Sequence, residues 1–217
     1  MTPTDPALAP KPLMRGWLHA GMTPAVVACG IVFMALASST LGRVGMAVWT
    51  AGSVDLFGMS ALYHTGHWRP GVRRVLRRFD HANIFVFIAA TYTPLGLLLT
   101  TGTSRVALLA LLWGVAVAGV AVAVAWTSAP RFVTVTLYLL MGWAGVGWMG
   151  DFWRAGGPAV VILILAGGVF YSTGAIIYAL KRPDPSPRVF GFHEVFHACT
   201  IAAACCHIVA IAFVVLR

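Results

Sequence analysis

Apolar runs close to the length of a bilayer crossing alternate along this chain with short breaks of charge, Pro or Gly. Seven are read, at residues 17–37, 44–65, 79–100, 105–126, 131–149, 158–180 and 190–215. About 20 residues at a rise of 1.5 Å cross roughly 30 Å of hydrocarbon. Backbone groups in lipid must bond within their own segment, so each run predicts a helix. The short alternating segments of a membrane barrel do not occur in the sequence. The expectation is an all-α polytopic membrane protein with seven transmembrane helices over 17–217. The Pro-rich residues 1–16 are expected to be disordered. They do not read as a cleaved signal peptide, because the first apolar run is too long for one.

Composition narrows the class. Of the 217 residues, 59% are apolar and only 10% charged, with a mean hydropathy of +0.86. Soluble domains average about 25% charged residues. Six acids and 15 bases cannot cover the surface of a soluble domain, and the same numbers exclude a disordered or nucleic-acid-binding chain. Membrane lipids are the expected partners; nothing in the sequence sets an oligomeric state.

The +9 formal charge is unevenly placed. With seven spans, one side holds eleven bases: Lys11, Arg15, Arg69, Arg73, Arg74, Arg77, Arg78, Arg131, Lys181, Arg182 and Arg188. The other holds four: Arg43, Arg105, Arg154 and Arg217. The excess marks the cytoplasmic side. This predicts an inner (plasma) membrane protein with its N-terminus inside and its C-terminus outside. Topology accounts for the Arg cluster at 73–78, with contact to anionic headgroups as the lesser reading. Trp17, Trp68, Trp126, Trp148 and Trp153 fall near span ends, as an interfacial belt requires. Cys29, Cys199, Cys205 and Cys206 lack metal or redox spacing and read as packing residues.

Ionisable groups inside a bilayer are costly and therefore informative. The predicted topology brings Ser60 and His64, Asp80 and His81, and His193, Glu194 and His197 to the same cytoplasmic depth, from three distant segments. Residues four apart share a helix face, as Ser60 and His64 do, and as His193 and His197 do. One His from the second span and two from the seventh supply three imidazole ligands. Three protein ligands plus water is the pattern of catalytic zinc, although imidazoles also suit Fe, Ni and Cu. Asp80 would accept a proton from the metal's water and Ser60 would orient that water.

These residues carry a resemblance. The run Ser60-Ala-Leu-Tyr-His64, then Asp80-His81, then Ala-Thr-Tyr92-Thr-Pro94, then His193-Glu-Val-Phe-His197 resembles the haemolysin III family. That bacterial family is similar to the progestin and adipoQ receptors, which include the adiponectin receptors, and more widely to alkaline ceramidases. The resemblance runs from Gly16 to the end of the last span. It implies a haemolysin III-like domain of seven helices with an inward N-terminus. It also implies zinc held by His64, His193 and His197, with Ser60 and Asp80 beside the zinc-bound water, and ceramidase-like hydrolysis of a lipid amide or ester.

Other readings compete. His193-Glu194-Val195-Phe196-His197 matches H-E-x-x-H, in which Glu194 would be the base of an intramembrane zinc protease. A channel-forming or membrane-perturbing haemolysin, or a membrane-state sensor with a structural zinc, would need no turnover. His19 lies near the depth of the site and matches a family His. His67 and His81 read as interfacial, and His207 as a packing hydrogen bond between helices. Asp55 falls on the opposite face of the second span from His64. Pro94 is expected to bend the third span.

Overall fold

The computed structural model describes residues 11–126 and 128–217. The chain forms α1 (Trp17–Leu36), α2 (Thr40–Thr65), α3 (Pro70–Leu99), α4 (Gly102–Ala125), α5 (Arg131–Trp143), a 3₁₀ turn (Ala144–Trp148), α6 (Met149–Gly156), α7 (Pro158–Leu180) and α8 (Phe192–Val215). No strand occurs among the described residues, where Ser186 and Phe190 form an isolated bridge.

Helix ends follow local chemistry. Ser39 caps α2, its Oγ accepting from the Gly42 N–H at 3.0 Å; this satisfies one of the donors that a helix start leaves unpaired. Pro70 and Pro158 occupy the first turns of α3 and α7, where the missing N–H costs nothing. Gly157, at φ 84°, makes the turn between α6 and α7, a conformation that disfavours residues with a Cβ.

Six stretches are long and apolar enough to cross a membrane: Trp17–Leu36, Pro70–Leu99, Gly102–Ala125, Arg131–Gly156, Pro158–Leu180 and Phe192–Val215. The protein is therefore an all-helical, multi-pass membrane protein. The second expected span, 44–65, differs. α2 has 26 residues, about 39 Å of helix, yet falls below the apolarity of the other six. Thr50, Ser53, Asp55, Ser60 and His64 lower it. Ser53, Ser60 and His64 are buried, since α2 packs between α1 and α3.

α3 is the central helix. In its most apolar window 72% of positions are buried, against 22% in α4, and it touches α2, α4, α5, α6 and α8. It also starts nine residues before the predicted span. Its first turns are the Arg-rich, exposed stretch from Pro70 to Arg78, so the charged approach and the apolar crossing form one helix.

The fifth predicted span, 131–149, extends to Gly156 and changes pitch on the way. Tyr92 Oη donates to the Gly142 carbonyl at 2.6 Å, and a Cβ on Gly145 would run into the Tyr92 ring. The ring of α3 thus presses on the backbone where α5 gives way to the 3₁₀ turn. α7 and α8 approach closely as well: a Cβ on Gly174 would lie 2.9 Å from Cys199 Cβ, the close approach that small residues allow between membrane helices.

Of the stretch expected to be disordered, 1–16, residues 1–10 lie outside the described residues. From Lys11 onward the chain is held in place. The N–H groups of Leu13 and Met14 donate to the carbonyls of Arg188 and Val189, each at 3.0 Å, and Lys11 Nζ donates to the Gly66 carbonyl at 2.9 Å.

Candidate metal centre

The buried face of α2 repeats at three- and four-residue spacing through Trp49, Ser53, Leu56, Ser60 and His64. Burying that face carries Ser60 and His64 into the interior at the end of the helix. On α8, Glu194 Oε2 accepts from the Gly191 N–H at 2.8 Å, which fixes the first turn. His193 and His197 then project one turn apart from one face.

Three rings converge. One ligand nitrogen from each of His64, His193 and His197 lies within 4.8 Å of the other two. Nε2 of His64 and Nε2 of His193 are 3.2 Å apart. Two nitrogens at 2.0–2.1 Å from one tetrahedral ion would stand about 3.3–3.4 Å apart, so these two already have the spacing of a shared ion. His64 and His197 are buried and His193 half-buried. The donor set is all imidazole, enclosed and drawn from two helices. It fits a transition-metal ion of the zinc type.

The surrounding groups have distinct roles. Asp80 Oδ2 lies 3.7 Å from His64 Nε2, so the carboxylate stands beside the triad. Ser60 Oγ is 2.9 Å from His19 Nδ1, and the His19 ring stacks on His197, with centroids 3.7 Å apart and planes 10° from parallel. His19 thus ties Ser60 to a candidate ligand. Its depth in the sequence hinted at such a part; the stack itself depends on how α1 leans on α8. His197 Nδ1 and His19 Nε2 are buried without a partner among the described residues.

Glu194 faces away from this chemistry. It is fully buried; Oε1 pairs with Arg15 and Oε2 holds the Gly191 N–H. Both oxygens are committed, so the H-E-x-x-H spacing here does not present a free base. Nothing local in the sequence marks Arg15 as the partner, because no short-range pattern links residues 179 apart.

The remaining candidates lie elsewhere. His207 Nε2 donates to the Ile164 carbonyl on α7 at 3.1 Å, a contact between helices. Asp55 is exposed, and its carbonyl accepts from Asn83 Nδ2 at 3.3 Å. His67 is exposed in the turn after α2. His81, expected at the interface, lines the cavity, and its carbonyl accepts from Tyr138 Oη on α5 at 2.9 Å.

The triad stands at one end of a cavity of about 350 Å³ whose walls come mainly from α3, α5, α7 and α8. Beyond Asp80 the wall becomes apolar, through Ile84 and Ile88, and the cavity reaches Tyr171 and His207. A polar, metal-fitting end joined to an apolar interior suits an amphiphile.

Comparison with known proteins supplies a family. A family model described as "Haemolysin-III related" matches residues 8–208. The chain is 28% identical over 152 residues to the "Hemolysin-3 homolog" of Bacillus subtilis (strain 168), covering 70% of this chain and 71% of that protein. It is 30% identical over 141 residues to "Hemolysin-3" of Bacillus cereus, covering 64% of this chain and 63% of that protein. With the family match spanning nearly all of its helices, this multi-pass membrane protein belongs to the haemolysin III-related family.

Proposed function

We propose that the protein is a zinc-dependent hydrolase of a lipid amide or ester, working in the inner membrane just below the cytoplasmic headgroups. The observation that carries this reading is the His64, His193 and His197 cluster, with ligand nitrogens within 4.8 Å of one another, beside Asp80 at the end of an apolar cavity. A purely structural zinc site usually has four protein ligands, whereas three leave a coordination position open. The proposed topology is seven spans, with α2 added as the second to the six most apolar stretches, the N-terminus inside and the C-terminus outside. The eleven-to-four distribution of bases supports it.

His64, His193 and His197 would hold the ion. When bound, zinc polarises a carbonyl and lowers the pKa of water from 15.7 to about 7. The chain's own groups complete the reaction. Asp80 accepts the proton that water gives up and returns it to the leaving amine or alcohol. If Nδ1–H of His19 donates to Ser60 Oγ, the Ser60 hydroxyl proton is free to meet the developing oxyanion. The apolar wall excludes bulk water and holds the chain of the substrate. Glu194, already bonded to Arg15 and to the backbone, has no part in the proton transfer.

The test is to purify the protein in detergent, measure bound metal, and follow cleavage of N-acyl amides and phospholipid esters by wild type, Asp80→Ala and His197→Ala. The expected result is about one zinc per chain in wild type and Asp80→Ala, little in His197→Ala, and turnover in wild type alone. Zinc-loaded wild type that cleaves neither class would overturn the reading. The names of the Bacillus relatives favour a second reading, membrane lysis. Dye release from liposomes by Asp80→Ala at the wild-type rate, without cleavage, would support it.

A further inference from the structure

Two arginines stand apart from the rest of the basic surface. Arg77 and Arg131 are the arginines that line the cavity. Arg131 is half-buried at the start of α5. Its Nη1 donates to the Tyr178 carbonyl at 3.1 Å, and its guanidinium lies 4.6 Å from the centroid of the Tyr178 ring. Those contacts fix its plane. Arg77 is exposed and lies three residues before Asp80 and four before His81, so the three share one face of α3. Among the described residues neither guanidinium has a carboxylate within 4.0 Å, whereas Arg15 and Arg154 each have one.

The same face of α3 continues inward through Ile84, Ile88, Thr91 and Tyr92, all on the cavity wall. One helix face thus passes from a guanidinium to the Asp80 carboxylate beside the histidines, and then to apolar wall. A cavity of about 350 Å³ is at the small end of the roughly 300–1,000 Å³ range of ligand sites, which leaves room for one acyl chain and not two. Unpaired guanidiniums at the polar end of an otherwise apolar cavity favour a carboxylate or phosphate, which they can grip with paired hydrogen bonds.

We infer that Arg77 and Arg131 form a headgroup clamp, and that the ligand of this cavity is a single-chain anionic amphiphile. Its carboxylate or phosphate sits between the two guanidiniums, and its chain lies along the α3 face. Three residues of helix, a rise of about 4.5 Å, separate Arg77 from Asp80. The bond presented to the histidines therefore lies only a few atoms from the anion, as in an N-acyl amino acid or a lysophospholipid acid. This inference narrows the substrate class of the hydrolase reading. It depends on that reading for turnover and not for binding.

The experiment measures equilibrium binding to the full chain in non-ionic detergent, so no cleavage is needed. The probes are N-oleoylglycine, oleoyl lysophosphatidate and the neutral N-oleoylethanolamine, with N-acetylglycine and inorganic phosphate as chain-free competitors. The proteins are wild type, Arg77→Gln, Arg77→Gln/Arg131→Gln, and Arg74→Gln as an exposed arginine off the cavity. Wild type is expected to bind both anionic amphiphiles at least about tenfold more tightly than the neutral one, the scale of charge-assisted hydrogen bonds. Arg77→Gln loses about threefold or more of that preference and the double variant loses all of it. Arg74→Gln and neutral binding stay unchanged.

Equal affinity for charged and neutral probes overturns the clamp. So does an equal loss in Arg74→Gln, which would reduce the effect to general surface charge, and so does displacement by the chain-free anions at comparable concentration. If the double variant unfolds for want of the Arg131–Tyr178 bond, Arg77→Gln carries the test alone. Anion preference without cleavage counts against the hydrolase only; cleavage without anion preference counts against the clamp only.

Discussion

Arg15, two residues before α1, forms an ion pair with Glu194 in the first turn of α8, closing the start of the helical domain onto its last helix. Glu194 is fully buried and the Arg15 side chain is 21% exposed. The two partners therefore differ in what they lose when separated: Arg15 can still reach water, and Glu194 cannot.

The asymmetry predicts the order of two variants. Arg15→Ala strands a buried carboxylate and should destabilise the protein by about 3–5 kcal/mol, the range for breaking a buried pair. Glu194→Gln keeps an oxygen for the Gly191 N–H and leaves the partly hydrated Arg15, so it should cost less. Thermal unfolding in detergent ranks them. Hydrolysis by Glu194→Gln should stay within about threefold of wild type, since loss of a true general base costs about 10²–10⁴-fold. A loss in that larger range would return Glu194 to the catalytic machinery.

Metal content should separate ligands from the residue that supports them. His64→Ala, His193→Ala and His197→Ala each remove one of three imidazoles, and elemental analysis should find little bound zinc. His19→Ala removes the ring stacked on His197 but no ligand. Its zinc should remain, with affinity lowered about 10–100-fold in chelator competition, the usual effect of losing a group that orients a ligand. Equal loss in all four would make His19 a ligand.

Asp80→Asn keeps the shape of the side chain and removes its ability to take a proton. Zinc content should stay near wild type, while kcat for amide or ester cleavage falls by about 10²–10⁴-fold. Unchanged kcat in zinc-loaded Asp80→Asn would leave the 3.7 Å approach to His64 as a structural contact.

Two glycines give opposite predictions. A Cβ on Gly45 would lie 2.8 Å from the Pro94 Cα, where α2 crosses α3. The atom it meets is backbone and cannot swing away, so Gly45→Ala should cost about 1–3 kcal/mol. Gly114 in α4 has nothing within 4 Å of such a Cβ. Gly114→Ala should be neutral or stabilise the helix by up to about 1 kcal/mol. Thermal melts of the two variants make the comparison.

The crossings were legible because a long apolar run has one solution in lipid, and the predicted boundaries of the first, fourth and sixth runs fall within three residues of α1, α4 and α7. α2 was less clear, since its length reads as a span while its polar residues lower its apolarity. The reason is tertiary: α1 and α3 cover both sides of it, so several of its polar groups never meet lipid. The 3₁₀ break in the fifth run was also beyond the sequence, because it lies beside Gly142, whose carbonyl accepts from Tyr92 of another helix.

At the site, the four-residue spacing of His193 and His197 marked a shared face, and the H-x-x-x-H pattern needed only helix geometry to be read. By itself the sequence determined the helical class, the membrane setting and the three imidazoles, because these depend on composition and local period. The tertiary structure alone decided that His64 meets His193 at 3.2 Å, that His19 stacks on His197, and that Arg15 occupies Glu194. Such contacts join segments of up to 179 residues' separation, and their energy is set by how whole helices pack, which no local pattern of residues records.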